Sequence, residues 1–126
     1  MSEMVRVDAR VPAKSLSSAA IGLGLERSMT TRSGVVRAAL ALFHGKDRET
    51  AYRLAMPTHN SRLSADKGSE RVGADVEAEL ANTGDAKISY AIRVGLGMAA
   101  GFTRAEAEEW AAMVKPGRPK KETADA

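Results

Sequence analysis

The sequence predicts a mainly α-helical protein carrying a short β-ribbon, with one strand-and-helix unit written twice, the second time in degenerate form. Three observations carry this. The stretch VRVDARV, residues 5–11, alternates apolar Val5, Val7, Ala9 and Val11 with charged Arg6, Asp8 and Arg10. That is the period of a strand with one face on a core and one in water. Most of the chain beyond residue 12 has helical spacing instead. Finally, RVGADV at 71–76 matches RVDARV at 6–11, and SYAIRVGLGMAAG at 89–101 matches SGVVRAALALFHG at 33–45.

Composition bounds the answer. A chain of 126 residues suits one compact domain or two very small ones. It is 44% hydrophobic but only 4% aromatic, so the core is built from Ala, Val, Leu, Ile and Met in closely packed small helices. The absence of Cys excludes a disulfide framework, a thiolate zinc site and a Cys nucleophile. There is no apolar signal region at the N-terminus and no run near the roughly 20 residues that span a bilayer. The expectation is a cytoplasmic protein of bacterial type. Net charge is +3, unevenly spread: residues 1–56 hold nine Lys/Arg against five Asp/Glu, residues 57–101 five against six, and residues 102–126 five against five. The N-terminal part is therefore the better partner for a polyanion.

Taken in order, Pro12 ends the first strand. In residues 13–28, Leu16, Ala19, Ala20, Leu23 and Arg27 follow helical spacing, and Gly22 and Gly24 allow a neighbouring helix to approach. The clearest helix occupies 29–45. Thr30 or Thr31 caps its start, Val36, Leu40 and Phe43 form its apolar stripe, and Gly45 stops it. Residues 46–56 give a further short helix, and the polar, turn-rich 57–69 a linker. Val72, Ala74 and Val76 then alternate with Arg71, Gly73 and Asp75. A short helix comes next in 77–85, about two turns shorter than its counterpart at 3.6 residues per turn. Ser33, Arg37, Leu40 and Gly45 recur as Ser89, Arg93, Leu96 and Gly101. Thr103 and Glu106 make a capping box for an amphipathic helix in 102–114. The tail 115–126 is basic at first, lacks core residues and is expected to be disordered. The expected division is thus 1–56, linker 57–69, degenerate copy 70–101, helix 102–114 and tail 115–126.

A lone strand needs a partner, and two such strands side by side make a ribbon. Two-stranded ribbons fit the major groove of B-DNA. On such a ribbon Arg6 and Arg10 would donate to guanine O6 and N7, and Asp8 would accept from cytosine N4. The start of the second helix, with Thr31, Arg32 and Ser33, offers amides and hydroxyls to a phosphate.

VRVDARV, succeeded after one helix by SGVVRAAL, resembles the ribbon-helix-helix (MetJ/Arc) family. Ser33, Val36, Arg37, Ala39 and Leu40 match that family's Ser-x-x-Ile/Val-Arg-x-Ala-Leu pattern over residues 4–45, and residues 70–101 match in part. The likeness implies base contacts by Arg6, Asp8 and Arg10 and phosphate contacts near 31–33. It gives Arg37 either a structural or a DNA-contacting role. The second copy departs from the pattern, with Gly95 in place of Ala, and its candidate contacts are Arg71, Lys87 and Ser89. Two arrangements are open. Either the copies pair within one chain, as in tandem members of conjugative plasmids, or the first copy pairs with its twin in a homodimer. Pairing VRVDARV with RVGADV is the more economical.

KPGRPKK in the tail partially resembles an AT-hook, with Gly117, Arg118 and Pro119 in place and Pro116 where an Arg belongs. Lys115, Arg118, Lys120 and Lys121 are its candidate minor-groove contacts. Other signals carry less. Gly95-x-Gly97-x-x-Ala100 lies within a helical stripe, where packing explains it better than a dinucleotide. His44 and His59 have no partners at metal-ligand spacing. The expectation is a non-enzymatic protein without cofactor or metal that binds specific double-stranded DNA, as a transcriptional repressor or a plasmid transfer-origin accessory protein. The alternative is an antitoxin, whose residues 102–126, with Trp110 and the acidic Glu106, Glu108 and Glu109, would bind a protein toxin.

Overall fold

A computed structural model describes residues 4–25, 31–55 and 69–113 of the chain. The elements run β1 (Met4–Pro12), α1 (Ala13–Gly22), α2 (Arg32–Phe43), α3 (Arg48–Ala55), β2 (Ser69–Glu77), α4 (Ala78–Ala81), α5 (Ile88–Ala100) and α6 (Arg104–Met113). The chain is mainly helical, with one antiparallel two-stranded ribbon formed by β1 and β2. The expected tail 115–126 and all of the expected linker except Ser69 lie outside the described residues; Ser69 opens β2. Among the described residues no helix is long and apolar enough to cross a membrane.

The ribbon arises from alternation. Val7, Ala9 and Val11 of β1 and Val72, Ala74 and Val76 of β2 are buried on one face. The other face carries Arg6, Asp8, Arg10, Arg71 and Asp75. Pairing sets Arg6 opposite Asp75, Asp8 opposite Gly73 and Arg10 opposite Arg71. Both strands and five of the helices (α1 to α5) feed one core, so the two copies are not separate globules.

The register imposes a symmetry. In the sequence match Asp8 corresponds to Gly73, and these are the two residues that face each other. Arg6 corresponds to Arg71 and Arg10 to Asp75, each equally distant from that centre. The ribbon therefore has a pseudo-two-fold axis between Asp8 and Gly73. The helices obey the same axis. Ala39 of α2 corresponds to Gly95 of α5, and a side chain added at Gly95 would overlap the Ala39 carbonyl. This close helix crossing is the reason that Gly95 departs from the repeated pattern.

The repeat is longer than its sequence signature. Both long helices end alike: the Lys46 amide donates to the Ala41 carbonyl (2.9 Å) and the Phe102 amide to the Gly97 carbonyl (3.0 Å), beyond left-handed Gly45 (φ 87°) and Gly101 (φ 118°). Then α3 and α6 take equivalent places, with Ala51 and Ala55 buried in one and Ala107 and Ala111 in the other. The helix expected as a separate element in 102–114 is thus the third helix of the second copy. Each third helix reaches the opposite copy, and α3 bonds its own copy's α1 as well. Arg48 donates to the carbonyls of Met98 (2.9 Å), Ala99 (2.9 Å) and Gly22 (2.7 Å). Arg104 donates to the Phe43 carbonyl (2.8 Å), and its guanidinium lies 4.6 Å from the Phe43 ring centre.

Two expectations need correction. The helix expected over 13–28 ends at Gly22, because Gly24 turns the chain at φ 88°. Of its two glycines, Gly22 alone serves a close approach: a side chain there would overlap the Ala99 carbonyl of α5. The second copy replaces ten-residue α1 with four-residue α4, and the His44 ring bonds the Leu80 carbonyl (3.0 Å) beside it.

Candidate nucleic-acid interface

The outer ribbon face is charged but not uniformly so. At one end, Arg6 lies between carboxylates, 3.7 Å from Asp8 and 4.0 Å from Asp75. These exposed pairs are worth at most about 1 kcal/mol and are screened by salt. Gly73 gives them room: a side chain there would meet the Asp8 carboxylate and the Arg6 guanidinium. At the other end, Arg10 faces Arg71 across the ribbon. Like charges directly opposite each other cost a few tenths to about 1 kcal/mol. The two arginines, with Asp8 and Ala9, line an open depression of about 200 Å³. An anion or an acceptor-bearing base edge in that depression would relieve the repulsion.

The helix starts differ as well. At α2, Thr31 is buried and its hydroxyl oxygen accepts from the Gly34 amide (3.0 Å). Ser33, half-buried, has its hydroxyl 3.5 Å from that of Thr31. The C-terminal carbonyl of Ala55 abuts Gly34, where a side chain would approach it to 2.6 Å. Arg37 donates through Nε to the Leu54 carbonyl (3.3 Å). Burial pushes the Arg37 guanidinium below its ordinary pKa, an effect opposed by the Asp75 carboxylate. Arg37 is thus a structural link between α2 and α3. The phosphate contact expected of the Thr31 side chain is corrected: a buried hydroxyl that caps its own helix is not available to a ligand. Arg32 and Ser33 stay half-exposed at that end.

At α5 the equivalent of Thr31 is Lys87, which has no acceptor, and the helix has no side-chain cap and no acid in its first turn. Lys87 is exposed and Ser89 half-buried. Arg93, the equivalent of Arg37, is only 6% exposed. Its Nε and Nη1 are buried without a hydrogen-bond partner. Burial alone holds its pKa below the ordinary arginine value. The sequence match paired Arg93 with Arg37 but did not mark it as a candidate, because nothing in the local pattern separates a bonded arginine from an orphaned one.

The candidate residues of the tail, Lys115, Arg118, Lys120 and Lys121, lie outside the described residues, as does His59. Trp110 packs, partly buried, on a small cluster of Val94, Ala107 and Ala111 with Phe43 and Tyr90. Its ring is thereby used in joining α6 to α5. No family model matches the chain, and neither a curated protein nor a solved structure does.

Proposed function

We propose that this chain is a single-chain ribbon-helix-helix type protein that binds double-stranded DNA in a sequence-selective manner, with the β1–β2 ribbon entering the major groove. It acts as a transcriptional repressor or as an accessory protein at a plasmid transfer origin. The observation that carries the reading is the outer ribbon face. Five of the six alternating positions of β1 and β2 there, all but Gly73, present guanidinium or carboxylate groups in register, on a ribbon narrow enough for the groove. In-chain pairing makes that face asymmetric, so the DNA site it reads is asymmetric too.

The roles are set by the electrostatics. Arg10 and Arg71, opposed and without carboxylates directly across from them, are the primary guanine readers. Asp8 accepts from a cytosine amino group beside them. Arg6 reads only by exchanging its contacts with Asp8 and Asp75 for a base, so it contributes less. The test is a set of single alanine variants assayed against a selected duplex and a scrambled one. Arg10→Ala and Arg71→Ala are expected to lose about 1–3 kcal/mol of discrimination each, with Arg6→Ala losing less and all three melting like the parent. Unchanged discrimination in both Arg10→Ala and Arg71→Ala would refute ribbon reading.

A further inference from the structure

We propose that the cavity between α1, α5 and α6 is a binding site for a small aromatic monocarboxylate. The inference goes beyond the DNA-binding reading and does not depend on it. The cavity is open to solvent and measures about 440 Å³, within the roughly 300–1,000 Å³ of small-molecule sites. Leu96, Gly97 and Ala100 of α5, Phe102 in the turn after it and Trp110 of α6 give it an apolar lining. From α1 come Lys14 and Ser18, one turn apart on the same helix face. An apolar lining with a few convergent polar groups is the make-up of a site that holds and orients a small ligand.

The pseudo-axis gives this region a counterpart where α4 meets α2, and there the chain closes on itself. Ala41 and His44 correspond to Gly97 and Ala100. The His44 ring reaches across to the Leu80 carbonyl (3.0 Å), whereas Ala100 ends at a methyl group. Gly97 has no side chain, and one there would come within 3.2 Å of the Phe102 ring. Lys46 corresponds to Phe102. Glu79 corresponds to Lys14, each being the second residue of the helix that follows a ribbon strand. Lys46 donates to the Glu79 carboxylate at 3.2 Å. In the cavity the lysine position holds an aromatic ring and the acid position holds a lysine. The ion pair is thus replaced by an apolar wall and a cation, and Leu54 is replaced by the larger Trp110.

Charge selects the ligand. No carboxylate lines the cavity. Among the described residues Lys14 has no ion pair and the Ser18 hydroxyl no hydrogen bond, while the Ser15 hydroxyl is committed to the Pro12 carbonyl (2.6 Å). One cation and one free hydroxyl suit a single carboxylate, whose two oxygens accept one bond from each. The apolar lining selects the rest of the molecule. Phe102 is 44% exposed, and a ring seated between it and Trp110 removes apolar surface from water on both sides.

The experiment uses the full-length protein and its own reporter, since Trp110 is the single tryptophan of the chain. Emission of Trp110 is followed on titration with phenylacetate, which does not absorb where tryptophan is excited, and with phenylacetamide, which has the same ring and no charge. A saturable change is expected with both, the acid binding about fivefold more tightly than the amide at low salt and losing that preference as salt is added. Lys14→Met, at an exposed position, is expected to melt like the parent and to bind the acid no better than the amide. Lys14→Arg keeps the charge and is expected to keep the preference, which separates loss of charge from loss of fold. Phe102→Ala is expected to weaken acid and amide alike. The site is overturned if neither compound gives saturation up to about 10 mM, the range of a weak fragment. It is overturned equally if acid and amide bind the parent alike at low salt, or if the preference survives in Lys14→Met. Duplex binding is no part of the readout, so this site and the DNA reading can each fail alone.

Discussion

At the scale of single residues, two glycines with different surroundings separate what is fixed from what yields. A side chain at Gly95 would overlap the backbone of Ala39, in the middle of the core helix crossing. Backbone cannot step aside, so Gly95→Ala is expected to cost about 1–3 kcal/mol or more by overpacking, read by chemical denaturation. A side chain at Gly73 meets only the ends of the Asp8 and Arg6 side chains, which are exposed and have open space to turn into. Gly73→Ala is expected to be nearly neutral, since alanine also lowers the entropy of the unfolded strand. Asp47 offers a pH test. Hydrogen bonds from the Thr50 hydroxyl and amide hold its carboxyl below the usual carboxylate range, with the amide 2.8 Å from Oδ1. A depressed carboxylate pKa stabilises the fold above the unfolded-state value, and that stabilisation is lost as pH falls through the folded-state value. Asp47→Asn is accordingly expected to flatten the acid limb of the stability profile while leaving neutral pH little changed.

At the scale of elements, the crossed arginines test the extended repeat. Arg48 satisfies three carbonyls at helix ends, and Arg104 one. Charged hydrogen bonds contribute about 1.5–3 kcal/mol each at most, and the Phe43 face adds about 0.5–1 kcal/mol to Arg104. Arg48→Ala is expected to destabilise more than Arg104→Ala in thermal melts; the reverse order would mean that the carbonyl contacts are not what joins the copies. Elements whose signal is strong were legible in the sequence. β1 alternates without exception, α2 carries a Val36–Leu40–Phe43 stripe with a Thr31 cap, and the Thr103–Glu106 box forms with both of its bonds (3.2 and 2.9 Å). The equivalence of α3 and α6 was not legible. Their buried positions are mostly alanines, which leave little hydrophobic periodicity, and the informative pair, Arg48 and Arg104, acts on the other copy. The same holds for the candidate site. The outward residues of β1 could be read from alternation, but the orphaning of Arg93 is a tertiary matter: Arg37 meets the Leu54 carbonyl of α3, whereas Arg93 Nε and Nη1 meet no acceptor.

At the scale of the whole molecule, charge explains why the ribbon closes within one chain. A homodimer through β1 about the same centre would set Asp8 against Asp8 and Arg6 against Arg10. The in-chain pairing sets Asp8 against Gly73 and Arg6 against Asp75, and keeps one like-charge pair, Arg10 with Arg71. One repulsion is retained at the end proposed to meet DNA, and the others are removed. Because both strands are already partnered and both copies share a core, the free protein is expected to sediment as a monomer over a wide range of concentration. A concentration-dependent dimer would point to exchange of strands between chains.

The central claim, a single asymmetric ribbon that reads duplex DNA, is tested most directly by selecting bound duplexes from a random pool at about 150 mM salt, where purely electrostatic binding is weakened. Enrichment of a short asymmetric motif with guanines required by Arg10 and Arg71 is the expected result. A palindromic motif would contradict the in-chain ribbon, and the absence of any enrichment would contradict sequence reading altogether.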